Sequence, residues 1–141
     1  MALTGATHLV DKSALARLKH PAVSAVLSPL LASGRVASCG ILVLEVLYSA
    51  RNYTDFVNTR RRLGGFPYVP VLEADVARAT DVLQELCSRG QHRSARLPDL
   101  LLAAAAERAS LIVLHYDADF DIIAAVTGQP TQWVVARGSV P

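Results

Sequence analysis

Short apolar runs alternate along the chain with longer stretches in which apolar residues return every three or four positions. The run from Thr7 to Val10 ends at Asp11 and gives way to Lys12-Ser13-Ala14-Leu15-Ala16-Arg17-Leu18, rich in helix formers, so a strand followed by a helix is expected. Pro21 opens a second helix, with Val23, Val26, Leu27, Leu30 and Leu31 as its apolar seam and Gly34 as its stop. Arg35 to Cys39 reads as a second strand. Ile41 to Ala50 then reads as a helix apolar on nearly every side, the pattern of a buried helix. Thr54 to Leu63 is helical and ends at Gly64-Gly65, after which Pro67 and Pro70 bracket a short extended piece through Val71. Glu73 to Arg89 carries Val76, Ala79, Thr80, Leu83 and Leu86 on one face, and Gly90 begins a basic loop. Pro98 opens a helix through Ala109, Leu111 to Leu114 is a strand, Asp117 onward is helical to Gly128, and Trp133 to Ala136 is a last strand.

Strands alternating with helices imply an α/β fold, with an open, mostly parallel sheet covered by helices on both faces and right-handed crossovers. Sites in such sheets lie beyond the carboxyl ends of the strands. Asp11 and Asp117 are both expected there, each after a strand and before a helix.

Composition narrows this picture without changing it. At 141 residues, with no Ser/Gly-rich or charge-run linker, residues 1–141 read as a single domain. An apolar content of 52% against 18% charged residues excludes a disordered chain. The net charge of +2 is too small to demand a polyanionic partner, so any nucleic-acid surface would be a local basic patch. Cys39 and Cys87 stand in no metal-ligand or disulfide spacing and read as reduced thiols. Met1 to Val10 lacks the basic start and long apolar run of a secretory leader. The longer apolar runs are broken by Glu45 and Glu107, well short of the ~18 residues of a membrane span, so a soluble, cytoplasmic protein is expected.

Four separated acids carry the candidate chemistry. Glu45 lies between Ile41-Leu42-Val43-Leu44 and Val46-Leu47-Tyr48, where an unpaired buried carboxylate would cost several kcal/mol. A divalent cation would resolve that, and so would an ion pair with an arginine such as Arg51 or a narrow exposed strip. Asp99 follows Pro98 in the first turn of a helix, where the dipole alone favours it by ~0.3–1 kcal/mol. Asp117 and Asp11 each have a capping role available, with Ser13 able to cap in place of Asp11. Asp119 and Asp121 crowd Asp117, and three carboxylates in five residues repel unless solvent, a cation or arginine neutralises them. Two acids at strand ends, one at a helix start and one inside an apolar helix point at one crevice. Such acids hold one or two magnesium ions, which lower the pKa of a bound water and neutralise a phosphoryl group, so phosphodiester hydrolysis is the reaction expected.

Leu9-Val10-Asp11-Lys12-Ser13-Ala14-Leu15, Leu44-Glu45-Val46, Leu97-Pro98-Asp99-Leu100-Leu101-Leu102-Ala103 and His115-Tyr116-Asp117-Ala118-Asp119-Phe120 together resemble the PIN-domain nucleases, and among them the VapC-type toxins. The resemblance covers almost the whole chain in order, and its last two motifs are the more specific. It implies a PIN-like three-layer α/β/α sandwich and a Mg2+-dependent endoribonuclease, with Mn2+ as a substitute ion. A VapB-type antitoxin and a homodimer are also implied. By the same resemblance, Asp11, Glu45, Asp99 and Asp117 match the family's four acids, Ser13 matches its frequent Ser/Thr, and Asp119 is an accessory acid. Ser13 could then orient a metal-bound water.

One departure is His115, which stands where relatives often have Thr; a histidine at a strand end is more often packed than catalytic. Candidate RNA contacts are the loop set Arg89, His92, Arg93 and Arg96, which immediately precedes Asp99, and the triplet Arg60-Arg61-Arg62, whose charge also complements a helix end. Leu47, Tyr48 and Phe56, with Tyr53, could line a groove for an antitoxin helix, or pack in the core. A receiver-type signalling domain is a weaker fit, because it would want paired acids after the first strand and a lysine after the fifth. A non-catalytic interaction module on the PIN fold is the other alternative, and the presence of all four acids speaks against it.

Overall fold

The computed structural model describes residues 5–141, so Met1 to Thr4, the start of the segment considered for a leader, lie outside it. Among the described residues, five strands form one sheet: β1 (His8–Val10), β2 (Val36–Cys39), β3 (Tyr68–Val69), β4 (Ile112–His115) and β5 (Thr131–Trp133). Their order is β3-β2-β1-β4-β5 and every pairing is parallel. Every residue of β1 and β2 is buried, as expected of parallel strands covered on both faces. The helices are α1 (Lys12–Leu15), α2 (Pro21–Ala32), α3 (Gly40–Tyr48), α4 (Tyr53–Leu63), α5 (Glu73–Ser88), α6 (Leu97–Arg108) and α7 (Asp119–Thr127).

The strand order decides where a site can form. The chain runs outward from β1 through β2 to β3, then returns across the sheet to β4 and β5 on the other side of β1. With right-handed crossovers, the outward run lays α1 to α4 on one face and the return run lays α5 to α7 on the other, which makes three layers. The direction reverses between β1 and β4, so the segments leaving those two strands diverge and leave a crevice at their carboxyl ends. Asp11 follows β1 directly and Asp117 lies two residues beyond β4.

Three elements depart from expectation. α1 stops at Leu15 instead of reaching Leu18, and the chain continues in tightened turns, with Arg17 bonded to Ala14 and Leu18 to Leu15. Pro21 forces this by holding His20 extended. α3 is not buried all round: Leu42 and Leu47 face inward, while Leu44 is 68% and Tyr48 91% exposed. A helix apolar on every side gives no hint of which face meets solvent. β5 occupies Thr131–Trp133, earlier than the expected Trp133 to Ala136. Gly128, at φ 69°, ends α7, and Pro130 already accepts from Val113, so the chain joins β4 as soon as it has turned. Beyond the three paired residues of β5 the chain makes one more bond to β4, from the Val134 N–H to the His115 carbonyl, where β4 ends.

Charged pairs fasten α5 to α6, the helix that carries Asp99. Asp75, 1% exposed, accepts Arg108 Nε at 2.8 Å and Nη2 at 3.1 Å, and also caps α5 through the Leu72 N–H at 2.9 Å. Burial opposes the charge on Asp75, but the Arg108 bonds and the Leu72 N–H outweigh it and hold the carboxyl below its usual range. Arg78 and Glu107 form a second bidentate pair at 2.7 and 3.2 Å. Asp75→Ala is therefore expected to lower stability by about 2–3 kcal/mol at neutral pH, the scale of hydrogen bonds to charged groups. Because the folded-state pKa is depressed, the difference should shrink as pH falls below the ordinary carboxylate range. Urea denaturation of both proteins at pH 7 and pH 3 measures it.

Candidate metal centre

Asp11 closes the end of β1 and is the N-cap of α1, its Oδ2 accepting the Ser13 N–H at 2.9 Å. The Ser13 hydroxyl oxygen accepts the Tyr116 N–H at 2.8 Å, which ties α1 to the segment leaving β4. Asp117 is fixed from that segment: its own N–H donates to His115 Nδ1 at 3.1 Å, and its Oδ1 accepts the Asp119 N–H at 3.0 Å. Asp99 enters from the first turn of α6 and is 0% exposed. Glu45 reaches in half-buried from α3.

These acids make two overlapping triads rather than one ring of four. One oxygen each from Asp11, Glu45 and Asp99 lie within 4.8 Å of one another, and so do oxygens of Asp99, Asp117 and Asp119. Asp99 belongs to both. Asp121, which the sequence grouped with Asp117 and Asp119, instead accepts the indole N–H of Trp133 at 3.2 Å.

The sharpest anomaly is the state of the oxygens. Both oxygens of Asp99, Oδ1 of Asp11 and Oε1 of Glu45 are buried with no hydrogen-bond partner among the described residues. Like charges under 5 Å apart repel by about 3 kcal/mol per pair at an effective dielectric of ~20. Burial first, and then the negative charge of Asp11, push the Asp99 carboxyl up to about 8. Glu45 is raised for the same two reasons. Hard carboxylate oxygens converging at this spacing suit a divalent cation such as magnesium or manganese, whose charge would supply what the protein leaves missing.

One protein cation is already present. Arg96 Nη2 donates to Asp117 Oδ2 at 3.2 Å, and its Nε lies 3.4 Å from Asp99 Oδ2 and 3.7 Å from Asp119 Oδ2. Its backbone N–H also donates to Asp119 Oδ2 at 3.1 Å. The Arg96 side chain is 59% exposed and brings one positive charge to three carboxylates, so it offsets part of their repulsion.

The PIN domain family model matches residues 9–126, which contain all five acids. The chain is a member of the PIN-domain family. Ribonuclease VapC51 of Mycobacterium tuberculosis is 46% identical over 133 residues, which cover 94% of this chain and 96% of that protein. Ribonuclease VapC21 of the same organism is 44% identical over 134 residues, again 94% and 96% of the two chains. A toxin-antitoxin complex from Klebsiella pneumoniae shares the fold with a TM-score of 0.71 at 21% identity, over 92% of this chain and 98% of that one.

Other expected residues of this PIN-domain protein are placed differently. Of the basic loop set, Arg96 alone touches the acids among the described residues; Arg89 pairs with Glu85 at 3.1 Å, and His92 and Arg93 are exposed. Arg51 pairs with Asp55 at 3.5 Å and not with Glu45. Leu47 is only 8% exposed and offers no groove surface; the exposed apolar side is Leu44, Tyr48 and Tyr53, with Phe56 half-buried beside them. His115 is fully buried, its ring 4.9 Å from those of both Phe120 and Trp133, and burial lowers its pKa. It is a packed residue. The sequence placed the basic loop within reach of the crevice because it precedes Asp99, but assigned Arg96 to RNA and missed its seat on the acids themselves.

A raised folded-state pKa means that ionising Asp99 costs stability, and the cost grows as pH rises from the unfolded value towards about 8. Asp99→Asn is therefore expected to raise the melting temperature of metal-free protein, by more at pH 8 than at pH 5. Equal melting temperatures at both pH values would show that Asp99 carries no such burden.

Proposed function

We propose that this PIN-domain protein is the ribonuclease toxin of a VapBC toxin-antitoxin pair, hydrolysing RNA with Mg2+ or Mn2+ and silenced by a VapB-type antitoxin. The observation that carries the metal reading is Asp99, fully buried with neither oxygen hydrogen-bonded among the described residues and only Arg96 Nε near Oδ2 at 3.4 Å, beside orphaned oxygens of Asp11 and Glu45. The naming of relatives at 44 and 46% identity as ribonucleases supports RNA as substrate.

Asp11, Glu45 and Asp99 would hold the ion, with Asp117 and Asp119 alongside. When bound, a divalent cation supplies Lewis-acid neutralisation of the phosphoryl group and a water of lowered pKa. Water attacks phosphorus in line, the bond from phosphorus to O3′ breaks, and a proton reaches O3′, which leaves a 5′-phosphate and a 3′-hydroxyl. Ser13, whose oxygen already accepts the Tyr116 N–H, keeps its own hydroxyl proton to orient a water or phosphate oxygen. Lys12, Leu44, Glu45, Tyr48 and Arg96 line a cleft of about 400 Å³ at the acids, and Lys12 there donates to Ser49 at 2.7 Å. A phosphate entering the cleft would meet Lys12 beside the acids, while the exposed His92 and Arg93 would track the flanking backbone.

Silencing by an antitoxin arginine is supported by Arg96, which already seats a guanidinium among Asp99, Asp117 and Asp119. An amphipathic helix would cover Tyr48 and Phe56, joined by Leu44 and Tyr53.

Chelator-treated protein should regain cleavage of a defined RNA on addition of Mg2+ or Mn2+. Asp99→Asn should lose at least about 100-fold in rate while keeping its circular dichroism spectrum. Undiminished cleavage in EDTA, or in an Asp11→Asn/Asp99→Asn double mutant, would overturn the metal reading. Added antitoxin should suppress cleavage, and an antitoxin whose inserted arginine is changed to alanine should bind yet inhibit less. Equal inhibition by both would mean that the partner acts by covering the RNA path.

A further inference from the structure

The two acid triads differ in what their oxygens already touch. Among the described residues, the orphaned carboxylate oxygens are Oδ1 of Asp11, Oε1 of Glu45 and both oxygens of Asp99, the residue that the two triads share. The two acids found only in the other triad are already bonded: Asp117 accepts the Asp119 N–H on one oxygen and Arg96 Nη2 on the other, and Asp119 Oδ2 accepts the Arg96 N–H. We propose that Arg96 stands in for a second cation: the chain takes up one divalent ion between Asp11, Glu45 and Asp99, and its own guanidinium neutralises Asp117 and Asp119. This rests on the metal-dependent reading above and specifies its stoichiometry.

Arg96 is held in place by more than charge. Its backbone N–H is bonded to Asp119, so the start of α6 is fixed against the start of α7 before the guanidinium is placed. The guanidinium then spans carboxylates on two elements, with Nη2 3.2 Å from Asp117 and Nε 3.4 Å from Asp99 on α6, and places its positive charge between them. A second divalent ion between Asp99, Asp117 and Asp119 would share Asp99 with the first and would meet the Arg96 guanidinium, which already lies on oxygens of all three. Arg96 would have to leave before that ion entered.

The test is titration of the full chain, stripped with EDTA and dialysed, with Mn2+, using calorimetry and the electron paramagnetic resonance signal of free Mn2+. Wild type should saturate at one ion per chain, Arg96→Ala at two, and Arg96→Lys at one because the charge is kept. Arg96 is more than half exposed, so both variants are expected to fold, which circular dichroism verifies. Two ions in wild type, or one ion in Arg96→Ala, would overturn the proposal and leave the metal-dependent reading standing. No binding by any of the three would overturn both.

Discussion

Electrostatic repulsion among buried carboxylates is the constraint on which the rest of the site depends. Asp99 is fully buried beside Asp11, with no hydrogen bond to either oxygen among the described residues, and stays near neutral only by keeping its proton up to about pH 8. The fold must hold it there against this cost. α6 does so by covering the helix with buried Leu100, Leu102 and Ala103 to Ala106 and by fastening its far end to α5 through Arg108 and Asp75. Stability is lost near the acids and recovered along the helix.

Asp11, Asp117 and Asp119 are then aimed by bonds to backbone N–H groups. Asp11 caps α1, Asp117 is bracketed by the His115 ring and the Asp119 N–H, and Asp119 is tied to the start of α6. Ser13 closes the circuit by accepting the Tyr116 N–H across the switch point of the sheet. Capping and site-building are thus one set of bonds: the residues that end strands β1 and β4 and organise the turns leaving them also converge on the crevice. For Asp11, capping a helix and facing the crevice are compatible, whereas Asp117 lies one residue before the N-cap of α7, Ala118, and orders the turn there through the Asp119 N–H.

Much of this was legible in the chain. The order of strands and helices came from short apolar runs and from Pro21, Gly34, Pro98 and Gly128, because those residues act through local backbone sterics. What failed were the places where local pattern carries no direction. An all-apolar α3 did not reveal that Leu47 turns in while Leu44 and Tyr48 turn out. Val134 and Val135 suggested a late β5, whereas the length of β4 and the turn at Gly128 set its register.

The sequence by itself determined the elements, the parallel α/β class and the identity of the acids, since periodicity, caps and residue chemistry are properties of neighbours along the chain. Tertiary structure alone decided the grouping. It brought Asp11, Glu45 and Asp99 together from the starts of α1 and α6 and the middle of α3, excluded Asp121, packed His115 between two aromatic rings, and seated Arg96 on Asp117 and Asp119. Distances of a few ångströms between residues far apart in the chain depend on strand order and helix packing, which no local pattern encodes.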